Sequence, residues 1–179
     1  MQHNKKKGFT LIELLVVIVL LGIVASFAVL SMNITGLDSE LNEEARKIHA
    51  LIRLAKEEAI IHAQEIALAV DKENYVFMYW GSEGEGKKKK FLWKPKINKI
   101  FRERTVHEGL KIRLETEQEF ALKREDEDRK FNSTIFSSSG EQSEFELKIY
   151  LENDKQIFYL ITGKDNGDVI IEKNDPDDF

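Results

Sequence analysis

Lys5-Lys6-Lys7-Gly8-Phe9-Thr10-Leu11-Ile12-Glu13 opens an apolar run that continues to Met32, and this stretch decides how the rest of the chain is read. Positions 9–32 number 24 residues, nearly all of them apolar. As a helix rising about 1.5 Å per residue they reach roughly 36 Å, against a bilayer core about 30 Å thick. The run therefore predicts a single membrane span. Lys5, Lys6 and Lys7 stand directly before it, and positive charge flanking a span stays cytoplasmic, which sends the C-terminal part outside.

An ordinary secretory signal peptide does not fit. The run exceeds the roughly 7–15 apolar residues of such a peptide, and Ala25-Ser26-Phe27-Ala28 is a poor cleavage site. The run also carries a carboxylate, Glu13, four residues after Phe9. A charge within a membrane helix costs about 3 kcal/mol on insertion scales, and that cost marks a function or a partner.

The segment from Lys5 to Glu13 resembles the processing and methylation motif of type IV prepilins and pseudopilins. The resemblance implies cleavage after Gly8 by a prepilin peptidase, which also methylates the new N-terminal Phe9. It implies that Glu13, fifth in the mature chain, faces the terminal amine of a neighbouring filament subunit. The physical chemistry agrees: a residue without a side chain admits a peptidase to the backbone, and an ammonium group neutralises a carboxylate in hydrocarbon.

The remainder is highly charged. The chain has no cysteine, which excludes a disulfide framework, a thiolate zinc site and a Cys nucleophile. Its net charge is −5, and loss of residues 1–8 with their three lysines leaves 24 basic against 32 acidic residues. That balance disfavours a general nucleic-acid binder. Gly36 and Asp38 mark a soft break, with Asp38 or Ser39 as a cap for a second helical stretch; Gly36 either kinks or softens the helix. Leu41, Ala45, Ile48, Ile52, Ala55 and Ala59 then recur at spacings of three and four, one face of an amphipathic helix. After His62 the period changes, and 66–70, 75–80, 110–115, 134–137, 145–151, 156–162 and 169–172 read as strands. The last two enclose the turn Gly163-Lys164-Asp165-Asn166-Gly167 as a hairpin. One helix followed only by strands predicts an α+β fold, the helix covering antiparallel sheet.

Glu43-Glu44-Ala45-Arg46-Lys47-Ile48 with 51–60, Ile135-Phe136-Ser137-Ser138-Ser139-Gly140-Glu141 with Phe145-Glu146-Leu147, and 160–169 resemble the H-type minor pseudopilin of type II secretion. The resemblance covers both ends of the chain and leaves 81–130 unmatched. It implies a structural subunit at or near the tip of a short periplasmic filament that assists export of folded proteins, anchored in the inner membrane. Its expected partners are the prepilin peptidase/methyltransferase, other major and minor pseudopilins, inner-membrane lipid and secreted cargo. The alternative is a minor pilin of a type IV pilus or DNA-uptake system. The expected organisation is a leader at 1–8, the membrane half of the helix at 9–32, its amphipathic half at 33–63 and a β-rich periplasmic domain at 64–179.

Other constellations are set aside. Gly81-Ser82-Glu83-Gly84-Glu85-Gly86-Lys87-Lys88 nearly matches a phosphate-binding loop, but Lys88 replaces the metal-binding hydroxyl and two glutamates repel phosphate; it reads as a hairpin tip. Lys87–Lys90 beside Phe91 and Trp93 reads as a solvated loop, and 123–130 as a mobile one. Asp165, Asn166 and Asp168, or Asp175, Asp177 and Asp178, are oxygen donors without the full calcium-loop pattern. His49, His62 and His107 form no metalloprotease motif. No cofactor, metal or catalytic residue is expected.

Overall fold

The structure is a computed structural model that describes residues 11–84, 86, 89–96, 98–116, 122–123 and 130–176, without the side chains of 25–35, 122, 123 and 130. The chain divides into two compact units, Met1–Asp38 and Ser39–Phe179. A helix, α1, runs over Leu11–Ile61. The expected cap at Asp38 or Ser39 is not formed, because α1 continues through Gly36. One glycine costs a helix only about 1 kcal/mol relative to alanine and does not by itself end it.

Within Ser39–Phe179, the stripe predicted from spacing is the buried face of α1. Leu41, Ala45, Ile48, Ile52, Ala55 and Ala59 are all fully buried, and Leu51 joins them. Among the described residues ten strands follow: β1 Ile66–Val70, β2 Asn74–Glu83, β3 Lys90–Pro95, β4 Arg104–Thr105, β5 Leu110–Thr116, β6 Leu122–Lys123, β7 Lys130–Phe136, β8 Phe145–Leu151, β9 Phe158–Gly163 and β10 Val169–Asn174. They form a six-stranded sheet in the order β3-β2-β1-β7-β6, with β4 paired to β2, and a four-stranded sheet in the order β10-β9-β8-β5. All the pairings are antiparallel. The α+β architecture therefore holds, with strands β3, β4 and β6 added to those read from the sequence.

The four-stranded sheet shows why alternation fixes register. Leu110 lies opposite Leu151, Ile112 opposite Ile149 and Leu114 opposite Leu147. Leu147 then meets Ile161 and Ile149 meets Tyr159. All eight are buried, so a slip of one residue would carry this whole set to the outer face. Phe145 faces Gly163 across β8 and β9, and its ring occupies the space a side chain at Gly163 would need. In the six-stranded sheet β1 is buried along its full length. Ala67 and Ala69, with Val76, Met78 and Phe131, form a cluster against which Trp93 and Ile135 pack. The turn after β9 uses Gly167 at φ 88°, a conformation that strains any side-chain-bearing residue.

Candidate assembly surfaces

The first surface lies on the unit Met1–Asp38. Glu13 sits in the first turn of α1, where a negative charge is favoured by the helix dipole. Around it Leu11, Ile12, Leu14, Leu15 and the apolar residues on to Val24 are all exposed, between 43% and 83%. Contiguous apolar exposure of that extent marks contact with lipid or another protein. Among the described residues no helix is long and apolar enough to cross a membrane. Of the apolar run 9–32, residues 9 and 10 and the side chains of 25–32 lie outside the described residues. Lys5, Lys6, Lys7, Gly8 and Phe9 lie outside the described residues.

On the unit Ser39–Phe179, polar contacts lock α1 to strands from both sheets. The Tyr75 hydroxyl donates to Glu44 Oε1 at 3.0 Å, both residues being buried, and Lys47 pairs with the other oxygen of Glu44. Burial pushes the Tyr75 phenol well above its ordinary value, and the charge and hydrogen bond of Glu44 push it further. Further along α1 His49 Nε2 donates to the Val169 carbonyl at 3.1 Å, and the Lys56 ammonium donates to the Gly167 carbonyl. Desolvation lowers the Lys56 pKa, opposed by the nearby Asp168 carboxylate. Lys96 and Glu58 form a third link. The helix is thus held to the final hairpin and to β2 by side chains that leave its remaining face free to carry charge.

The other sequence features resolve as local structure. Gly81 to Glu83 end β2, and Gly84 and Gly86 take positive φ in the tip before β3; Glu85, Lys87 and Lys88 lie outside the described residues. The basic stretch read as a solvated loop is instead partly strand: Lys90 to Pro95 pair with β2 because Phe91 and Trp93 place their rings beside Trp80. Lys123 pairs with Lys130 across β6 and β7, and 124–129 lie outside the described residues. Asn166 and Asp168 hydrogen-bond to each other within the turn. Asp175 pairs with Lys173, and 177–179 lie outside the described residues. His107 Nδ1 contacts the neighbouring Glu108 carbonyl. Among the described residues no group of three or more His, Asp or Glu is arranged to hold a metal. A cavity of about 590 Å³ bordered by Asp71, Lys111, Asn132, Tyr150, Glu152 and Lys155 mixes both charges, and Lys111 is already bridged to Glu73 and Glu152.

Sequence reasoning missed two features. The buried Glu44–Tyr75 contact joins residues 31 apart; the presence of two glutamates at 43 and 44 on a helix beside its apolar stripe was its one signal. The aromatic ladder on β2 and β3 was signalled by Trp80, Phe91 and Trp93 on alternate positions.

Comparison with known proteins agrees with this geometry. Residues 3–29 match the prokaryotic N-terminal methylation motif. The chain is 27% identical over 168 residues to type II secretion system protein H of Aeromonas hydrophila, covering 92% of this chain and 91% of that protein. It is 36% identical over 69 residues to the protein of the same name from Pseudomonas aeruginosa, covering 38% of this chain and 40% of that one. The fold is similar to the crystal structure of the minor pseudopilin EpsH from the type II secretion system of Vibrio cholerae, with a TM-score of 0.58 at 21% identity over 79% of this chain and 99% of that one. The chain thus combines an N-terminal methylation motif with a domain whose fold is similar to that of a minor pseudopilin.

Proposed function

We propose that this chain is a structural, non-catalytic subunit of the type II secretion pseudopilus, positioned at or near the filament tip and assisting export of folded proteins across the outer membrane. The observation that carries the reading is the coincidence, in one chain, of the methylation motif at 3–29 with similarity to type II secretion system protein H over 92% of the length. The type IV pilus alternative is less favoured, because that long similarity is to a protein named for type II secretion.

In this reading the peptidase cleaves after Gly8 and methylates Phe9. The helix from Phe9 anchors the chain in the inner membrane with its β-rich domain in the periplasm. Lys5, Lys6 and Lys7 hold the leader on the cytoplasmic side until cleavage. Removal of the leader creates a cation at Phe9, and Glu13 of one subunit accepts that cation from its neighbour. The pairing lowers the cost of burying both charges in hydrocarbon, so it favours the assembled bundle over separate helices.

Mass spectrometry of the protein purified from its own membranes tests this. The expected mature chain begins at N-methylated Phe9. A chain that retains the lysine leader, or that begins unmodified at another residue, overturns the processing step.

A further inference from the structure

Strand β3 is the outermost strand of the six-stranded sheet, and among the described residues no strand pairs with its outer edge. The amide of Lys96 donates to the Phe77 carbonyl at 2.8 Å. With Tyr79 opposite Lys94 and Gly81 opposite Leu92, antiparallel alternation fixes the rest. The backbone groups of Lys90, Leu92 and Lys94 point to β2. Those of Phe91 and Trp93 point outward.

The side chains of the same two residues share a face with Trp80. The rings of Trp80 and Trp93 are 5.4 Å apart, and those of Trp80 and Phe91 are 6.2 Å apart and stacked. Trp93 rests on the buried cluster that includes Met78 and Phe131. Trp80 and Phe91 are nevertheless 41% and 58% exposed. Lys89 lies 5.5 Å over the Phe91 ring, and Lys90 is exposed beside it. Soluble proteins blunt sheet edges with charge or proline. Here Lys90 and Pro95 close the two ends of β3 and leave its aromatic middle open.

We propose that the open edge of β3 binds an extended, acidic segment of a neighbouring subunit by strand addition. Phe91 and Trp93 exchange main-chain hydrogen bonds with that segment. Trp80 and Phe91 cover its apolar side chains, and Lys89 and Lys90 select its carboxylates. An outward row of N–H and C=O groups is matched by another polypeptide backbone, and the lysines complement negative charge. The inference rests on the filament-subunit reading above.

Photocross-linking in the full-length protein in its native membranes tests it. A benzophenone amino acid replaces Trp80, and a second probe at Val17 reports contacts of the apolar helix. The expected Trp80 adduct is a peptide of another subunit that is acidic and extended. Relative to Trp93→Ala, which already loses the ring packed on the buried cluster, Trp93→Pro removes an outward N–H without breaking the backbone hydrogen bonds to β2. It is expected to lower that adduct about tenfold, the equivalent of one hydrogen bond of about 1.4 kcal/mol, and Lys89→Glu with Lys90→Glu is expected to do the same. Circular dichroism of each variant, matched to the parent, keeps a folding defect out of the result. Adducts at Val17 but none at Trp80 overturn the β3 proposal alone. An adduct at Trp80 to lipid, to nucleic acid or to a helix also overturns it. No adduct at either position overturns the filament reading and this inference with it.

Discussion

Replacing Gly163 by alanine tests whether the packing of the four-stranded sheet is as tight as it looks. A Cβ built on Gly163 falls 2.0 Å from one ring carbon of Phe145 and 2.5 Å from the next. Carbon atoms in favourable contact sit about 3.5–4.0 Å apart, so ring and strand must separate by about 1.5 Å. Phe145 cannot easily yield: it is 2% exposed, and its ring meets that of Phe136 edge-on with centroids 6.1 Å apart. Overpacking of this kind costs about 1–3 kcal/mol. For a domain of this size that lowers the Tm by about 3–12 °C. Thermal unfolding of the full-length protein in detergent, followed by circular dichroism, measures it. The decisive comparison is the double variant Gly163→Ala/Phe145→Leu. A smaller side chain at 145 makes room for the new methyl group, so the double variant is expected to lose at least about 1 kcal/mol less than the sum of the single losses. A Gly163→Ala protein that melts with the wild type, or a double variant that is simply additive, refutes the reasoning.

Three further outcomes are expected. Ile52→Ala, at a fully buried position on the helix stripe, costs about 2–5 kcal/mol, read from the urea midpoint. Tyr75→Phe deprives the buried Glu44 of a charged hydrogen bond and costs about 1.5–3 kcal/mol near neutral pH. The same variant changes the alkaline limb: because the folded state raises the Tyr75 pKa, its contribution is present below the unfolded value of about 10 and falls away as pH rises past it, so Tyr75→Phe flattens that decline in urea titrations at stepped pH. Glu13→Ala leaves the domain's melting temperature unchanged and reduces incorporation into filaments, scored by cross-linking in membranes; normal incorporation removes Glu13 from the assembly step.

The helix was legible because its signal is local. Leu41 to Ala59 repeat at helical spacing, and only one side of a helix can be buried against sheet. Strands β1, β5 and β8 were legible for a similar reason, since their apolar residues run together or alternate without interruption. Strand β3 was not, because its three apolar residues stand between lysines and a proline, a composition that reads as loop until Trp80 supplies a neighbour. β4 and β6 are two residues each; such short pairings are set by where the rest of the chain holds them, not by their own propensity. Asp38 has the composition of a cap, two residues after a glycine, but lies inside the continuous helix α1. Of the candidate assembly surfaces, the N-terminal methylation motif was plain in the sequence, whereas the open edge of β3 depends on sheet order, which no local pattern encodes.

The pairing of β1 has a consequence for how the protein is made. One side of β1 joins β2, where Val70 lies opposite Tyr75, but its other side joins β7, where Ile66 lies opposite Phe136. A strand in the middle of a sheet thus waits for a partner synthesised some 70 residues later. Contacts of such high sequence separation slow folding, since the loop must close before they repay it. Until Phe136 has emerged, the apolar stripe of α1 has an incomplete surface to rest on and is open to aggregation. The nascent chain therefore spends its most vulnerable interval after its long helix has been made and before its last third has arrived.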